Sequence, residues 1–304
     1  MSLNVLSLFD GISCGQLALQ RASIDYSTYY ANEIEASSIK VTSKNFPNTI
    51  QLGDVTVLDT SSLPKINLLL GGSPCQGFSK AGKQLNFNDP RSKLFFEYAR
   101  IKEELRPKYF LLENVVMKQE YIDVITEYLK VEPIRINSKL VSAQNRDRMY
   151  WTNIPNVTIP KDKGIYLDSI LDFTLSSCII GKNIGLRSGL FDYLIKQQPE
   201  SSIAVSDTPY IKVNRKLKIK SKQSKSSCLT AGASSGGNHS DMDFIVTKPS
   251  TCRRYSCIEA ERLQTLPDNY TQGISPTARY KAIANGWTVD VLAHLFNGLR
   301  NEQP

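Results

Sequence analysis

Three short stretches in the first half of the chain end apolar runs in residues able to do chemistry. Ile66 to Leu70 is hydrophobic and empties through Gly71, Gly72 and Ser73 into Pro74-Cys75-Gln76. A cysteine at the mouth of a sheet, fixed by a preceding proline, is placed to act as a nucleophile. Free thiols titrate near pH ~8.5, so it needs activation or a receptive electrophile. A buried, inert thiol is the ordinary alternative. Tyr109 to Leu112 likewise delivers Glu113, Asn114 and Val115. A carboxyl in apolar surroundings can stay protonated and act as a hydrogen-bond donor. Beyond a further apolar segment, Gln144-Asn145-Arg146-Asp147-Arg148 offers two guanidinium groups, suited to a carbonyl, a phosphate or a plain surface ion pair.

A fourth stretch reads as a binding element. Leu8-Phe9-Asp10-Gly11-Ile12-Ser13-Cys14-Gly15 is a strand running into a glycine-bearing turn and then a helix. Glycine lets the backbone approach a ligand closely, and a helix N-terminus presents free N–H groups. The spacing is not G-x-G-x-x-G, which weakens a nicotinamide reading. One strand later, Glu33 is an acid suited to ribose hydroxyls. An ordinary turn and a surface glutamate remain the plain alternatives.

The elements that must position these residues alternate. Strands are expected at Val5 to Phe9, Tyr26 to Ala31, Ile66 to Leu70, Tyr109 to Leu112 and Ile134 to Val141. Helical spacing falls at Gln16 to Arg21, Glu35 to Lys44, Lys93 to Leu105 and Glu120 to Leu129. This order predicts an α/β fold, a mainly parallel sheet covered on both faces, with ligands outside the carboxyl ends of its strands. Residues from about 160 to 255 lose that rhythm and are richer in Ser, Lys, Gly and Asn. Within them Lys212, Arg215, Lys216, Lys218, Lys220, Lys222 and Lys225 form a basic run, with Val213, Leu217 and Ile219 suggesting a strand. Helical pattern returns at Ile258 to Gln264, Ala278 to Ala284 and Val289 to Leu299. The expected organisation is a catalytic domain over 1-158, a small inserted domain over 159-256, and a return to the first domain over 257-304.

Composition narrows the class. The 304 residues are 41% hydrophobic, enough for a sizeable core, and the net charge of +8 favours an anionic partner, nucleic acid first. No run approaches the roughly 18 apolar residues of a spanning helix, and the first nine residues carry no secretory leader pattern. A cytoplasmic protein is therefore expected. The six cysteines are scattered, which argues against a disulfide framework. A zinc site on Cys252 and Cys257 lacks a second pair at ligand spacing, so no metal is expected.

Taken together, the motifs resemble those of the DNA cytosine C5 methyltransferase family, in linear order over nearly the whole chain. The resemblance rests on Asp10-Gly11…Gly15, Glu33, Asp54, Pro74-Cys75-Gln76, Glu113-Asn114-Val115, Gln144…Arg146…Arg148, Arg262-Leu263…Leu266-Pro267 and Asn285-Gly286. Stretches such as Leu94-Phe-Phe-Glu-Tyr and Arg148-Met-Tyr-Trp-Thr-Asn are similar to the catalytic domains of vertebrate de novo methyltransferases. The chain departs from the pattern at Ala284, where many members carry glycine.

The resemblance implies a Rossmann-like S-adenosylmethionine-dependent methyltransferase sheet with a target-recognition domain inserted late. Cys75 would add to carbon 6 of a flipped-out cytosine in double-stranded DNA, so that carbon 5 accepts the methyl group. Glu113 would hold the ring edge, Arg148 would sit at its carbonyl, and Arg146 near the same loop or the phosphates. The cofactor would lie among Phe9, Asp10, Gly11, Gly15, Glu33, Ile34, Asp54, Pro74, Asn285 and Trp287. Gln76, Ser79, Lys212, Arg215, Lys216, Lys218 and Asn238 would meet DNA. The source implied is bacterial or phage, as a restriction-modification companion or a solitary enzyme, acting as a monomer. A tRNA cytosine methyltransferase on the same domain is the nearest alternative, although the Cys-Phe-Thr tripeptide of those members is absent. A catalytically silent DNA-binding scaffold is the other.

Overall fold

The computed structural model describes residues 3–73, 93–172, 174–175, 178–179, 210–212, 218–220, 223–231, 243–248 and 251–302. Its contacts divide the chain into two compact units. One comprises Met1–Ser138, Asp147–Lys161 and Gly286–Pro304; the other comprises Lys139–Arg146 and Asp162–Asn285.

The first unit is built on a seven-stranded sheet. Its strands are β1 (Leu3–Leu8), β2 (Tyr26–Asn32), β3 (Ile50–Gln51), β4 (Leu68–Gly71), β5 (Tyr109–Val115), β6 (Ile134–Asn137) and β7 (Asp147–Thr152), in the order β3-β2-β1-β4-β5-β7-β6. Strands β1 to β5 are parallel; β7 runs antiparallel between β5 and β6. The central strands Leu-Leu-Leu-Gly and Tyr-Phe-Leu-Leu-Glu-Asn are buried along their length, as near-continuous apolar runs covered on both faces should be. Helices α1 (Cys14–Arg21), α2 (Ala36–Asn45), α3 (Lys93–Leu105) and α4 (Gln119–Leu129) fall between successive strands. In α3 the buried Phe95, Tyr98, Ala99 and Ile101 form one face, while Arg100 pairs with Glu97 and Glu104 on the other. Connections from β1 build outward one way and those from β4 the other. In sheets of this kind ligands bind at such a reversal, here outside the carboxyl ends of β1 and β4.

The second unit carries a five-stranded antiparallel sheet, β10-β9-β11-β12-β8, from β8 (Cys178–Ile179), β9 (Tyr210–Lys212), β10 (Lys218–Lys220), β11 (Asp243–Lys248) and β12 (Thr251–Arg253). It also holds α5 (Cys257–Leu263) and α6 (Pro276–Asn285). The start of α5 is fixed by a capping box: Ser256 Oγ accepts from the Glu259 N–H, and Glu259 accepts from the Ser256 N–H. The last helix, α7 (Val289–Phe296), belongs to the first unit and packs on α1. Among the described residues no helix is long and apolar enough to cross a membrane.

Several boundaries differ from the sequence expectation. The expected strand over Ile134 to Val141 stops at Asn137, and Ser138–Leu140 form a 3-10 turn. Strand β7 had no counterpart in the sequence reading, because Met149-Tyr-Trp151 is too short an apolar run to declare itself. Strand β5 runs on to Val115, so Glu113 and Asn114 sit within the sheet. The second unit takes Lys139–Arg146 and keeps α5 and α6, unlike the 159-256 insert expected from composition. Buried hydrogen bonds account for this: Gln144 Nε2 donates to the Leu263 carbonyl at 3.0 Å and to Gln264 Oε1 at 3.2 Å.

Candidate active site

The exit of β1 is a tight coil. Phe9, Gly11 and Ser13 all take left-handed backbone conformations, with φ of 57°, 60° and 55°. Such residues are costly unless the surroundings hold them. Here Asp10 holds them from within. Its carboxyl accepts from the Tyr29 hydroxyl at 2.9 Å and from the Ser13 hydroxyl, while its N–H reaches the Asn32 carbonyl. Burial pushes this carboxyl above the usual carboxylate range, against the hydroxyls of Ser13, Ser7 and Tyr29, which pull it down. The Asp10 side chain is thus turned inward as a brace, while Phe9 beside it is partly exposed.

Glu33, just past β2, grips the same turn. One of its oxygens accepts the Gly11 N–H at 2.8 Å; the other accepts the N–H groups of Ile34 and Glu35 at 2.7 and 2.8 Å. Beside it Ile34 is 73% exposed, an unusual state for a large aliphatic side chain. Asp54, after Gly53, caps a 3-10 turn through Thr56. At both Gly11 and Gly53 an added Cβ would meet nothing within 4 Å among the described residues, so the backbone here borders open space. Open glycine backbone, an exposed isoleucine and a carboxylate beside them fit a nucleoside with an attached chain.

Gly15 lies against the interior instead. A Cβ there would stand 2.7 Å from the Tyr29 hydroxyl and 2.9 Å from Leu70. The Trp287 indole packs beside it and over Gly72, where a Cβ would lie 2.6 Å from Nε1. Trp287 is 6% exposed, so it closes the floor between β1 and β4.

At the ends of β4 and β5 the chemistry-bearing groups meet. Glu113 Oε1 and Arg148 Nε are 2.8 Å apart, both largely buried. The apolar surroundings expected for this carboxyl are replaced by a guanidinium. Asn114 reaches across to Ser73, its Nδ2 donating to Ser73 Oγ at 3.1 Å. Pro74, Cys75, Gln76 and Ser79 follow directly in the chain and lie outside the described residues.

The remaining candidates fall in the second unit. Arg146 is buried there, donating to the Ala284 carbonyl at 3.1 Å and lying 3.6 Å from Cys228 Sγ. It is therefore separated from Arg148 in its contacts, despite the spacing of two: β7 begins only at Asp147, after Arg146. Asn285 ends α6 and is exposed. Lys212 and Lys218 are paired residues of the β9–β10 ladder. Arg215, Lys216 and Asn238 lie outside the described residues, as do Val213 and Leu217 of the expected strand. Lys225, the last of the basic run, is no solvated cation. Its ammonium donates to the carbonyls of Lys139, Ser142 and Ile165 and lies 4.6 Å from the Tyr166 ring centre. Among the described residues no cluster of three or more His, Cys, Asp or Glu could hold a metal.

With this geometry in place, the family assignment follows from comparison with known proteins. The model of the C-5 cytosine-specific DNA methylase family matches residues 3–301. The chain belongs to that family. It is 28% identical to the type II methyltransferase M1.ScrFI of Lactococcus lactis subsp. cremoris, over 95% of this chain and 75% of that protein. It is 27% identical to the type II methyltransferase M.FnuDI of Fusobacterium nucleatum, over 95% and 92%. With the orphan methyltransferase M.Rho11sI of Bacillus phage rho11s the identity is 34%, over 54% of this chain and only 35% of that protein. Among solved structures, the Entamoeba histolytica methyltransferase EhMeth superposes with a TM-score of 0.72 at 18% identity, covering 100% of both chains. A prophage DNA modification methyltransferase from E. coli gives 0.68 at 21%, covering 99% of each. The fold is thus that of the S-adenosylmethionine-dependent cytosine C5 methyltransferases.

Within a C-5 cytosine methylase chain, some motif residues are scaffold. Glu261 is fully buried, accepting from Asn269 N, Thr271 N and the Arg279 guanidinium, while its neighbour Arg262 pairs with Asp268. Gln144 and Gln264 tie α5, Leu229 and Ile283 together. Sequence reasoning passed over Glu261, Gln264 and Arg279. For Glu261 the signal available was a charge on an otherwise apolar helical face, which requires a partner.

Proposed function

We propose that this protein transfers a methyl group from S-adenosylmethionine to carbon 5 of cytosine in double-stranded DNA, through a transient bond between Cys75 and carbon 6. The observation that carries this reading is the Glu113–Arg148 pair, 2.8 Å apart and largely buried, in the same unit as the β4 exit that leads to Cys75. Family membership over residues 3–301 supports it.

The residues divide the work. The Cys75 thiolate adds to carbon 6, turning carbon 5 into a nucleophile that takes the methyl group. Loss of the carbon 5 proton with β-elimination then breaks the sulfur–carbon 6 bond and frees Cys75. Glu113 takes the N3 edge and exocyclic amine, so that charge does not accumulate on the ring, and Arg148 holds that carboxyl while facing the ring carbonyl. The bound cofactor supplies the electrophilic methyl group. Glu33, Ile34 and the open backbone at Gly11 and Gly53 hold its nucleoside, and Trp287 floors the pocket. Asp10 braces the β1 turn from within, and Arg146 holds the Ala284 carbonyl in the second unit. Lys212 and Lys218, with Arg215 and Lys216, supply phosphate contacts, and Gln76, Ser79 and Asn238 reach the opened duplex.

Duplex DNA carrying 5-fluorocytosine tests the reading, because fluorine at carbon 5 blocks the elimination that frees the enzyme. With S-adenosylmethionine present, the native chain should become covalently attached and Cys75→Ser should not. Attachment by both proteins, or methyl incorporation into tRNA in place of duplex DNA, overturns it.

A further inference from the structure

We infer that Asn114 is a positioning residue for the reaction, fixing the direction in which the chain leaves β4 toward Cys75. This rests on the reading of Cys75 as nucleophile. The parallel ladder between β4 and β5 ends at the pair Gly71–Leu112. Carrying the same register two residues further sets Ser73 opposite Asn114. There the side-chain amide takes over from the backbone. Asn114 Nδ2 donates to Ser73 Oγ at 3.1 Å and to the Ser73 carbonyl at 3.5 Å, while Oδ1 accepts the N–H of Val115 at 2.8 Å. Both residues are buried, at 1% and 5% exposure. The chain is therefore held at Gly72 by the Trp287 indole and at Ser73 by the amide, immediately before Pro74-Cys75.

The amide is the group this position demands, because it must donate to a carbonyl and accept from an N–H at once. Aspartate would keep the acceptor but turn a buried charge toward the Ser73 carbonyl. Alanine would leave buried Ser73 without this donor. Successive strand side chains face opposite ways, so Asn114 acts behind the face on which Glu113 meets Arg148. A misplacement of about 1 Å can cost on the order of 100-fold in rate.

The test compares native chain, Asn114→Ala and the isosteric Asn114→Asp in attachment to 5-fluorocytosine duplex with S-adenosylmethionine, alongside single-turnover methyl transfer. A native chain that forms no adduct overturns the reading of Cys75 itself; once it does, the variants report on Asn114 alone. Both rates should fall roughly 10- to 100-fold, while Kd for duplex DNA and for S-adenosylmethionine stays within about threefold, so that kcat falls and KM does not. Ser73→Ala should slow the reaction less, and add little in the Asn114→Ala background. Adduct formation at the native rate in the variants overturns the inference. So does a rate loss matched by equal losses in binding of both ligands. Should Asn114→Ala fail to fold, Asn114→Asp carries the same comparison.

Discussion

Arg148 and Glu113 lie diagonally across the antiparallel β5–β7 ladder, with Nε of one 2.8 Å from Oε1 of the other. Glu113 is opposite Tyr150, and Arg148 two residues from Tyr150, so both side chains emerge on one face. A guanidinium reaching a carboxylate in this way aims it as well as balancing its charge. Arg148→Met should therefore cost stability and rate together. Stability should fall by about 3 kcal/mol, since it strands a largely buried carboxyl. Glu113→Gln keeps a partner for Arg148 and should hold the denaturation midpoint nearly unchanged, yet lose methyl transfer on the order of 100-fold or more. Denaturant titration with single-turnover assays separates the two effects.

Gly72 and Trp287 offer a test of the cofactor floor. Gly72→Ala places a carbon 2.6 Å from the indole nitrogen of a side chain that is itself buried. Stability should fall by about 1–3 kcal/mol from overpacking. Affinity for S-adenosylmethionine should weaken on the order of tenfold, a change worth about 1.4 kcal/mol, with duplex DNA affinity unchanged. Calorimetric titration of each ligand checks it.

Asp10 gives a pH dependence with a definite sign. Burial raises its carboxyl above the usual range, so the folded chain holds the proton to higher pH than the unfolded chain does. That contribution to stability is complete below the unfolded pKa and is lost as pH rises through the folded one. Asp10→Asn removes the loss. The gap in thermal midpoint, variant minus native, should widen from pH 4 to pH 8; a gap that narrows contradicts the assignment.

Lys225 and its neighbours in the basic run should separate cleanly. Lys225→Met removes an ammonium bonded to three carbonyls and should lower stability by about 2–3 kcal/mol, without altering the salt dependence of DNA binding. Lys212→Ala and Lys218→Ala should do the reverse, each reducing the slope of log affinity against log salt by about 1. Binding isotherms over a salt series, with thermal melts, provide the comparison.

The sequence by itself determined which chemistry is present and roughly where the strands deliver it. Apolar runs ending in Pro74-Cys75, Glu113-Asn114 and the Phe9–Gly15 turn were legible because buried parallel strands need continuous hydrophobicity and their ends need particular residues. The family followed from the order of those motifs. Partnership was left to the tertiary structure, because side chains distant in sequence become neighbours only through strand register and burial. Arg146 and Arg148 look equivalent in sequence, yet one is held to Ala284 and the other meets Glu113. Lys225 reads as one more solvated charge until three carbonyls converge on it. Asp10 reads as an open carboxylate, yet Tyr29 and Ser13 both donate to its oxygens. In each case a polar group removed from water must find its partner inside, and which partner that is depends on how distant segments pack.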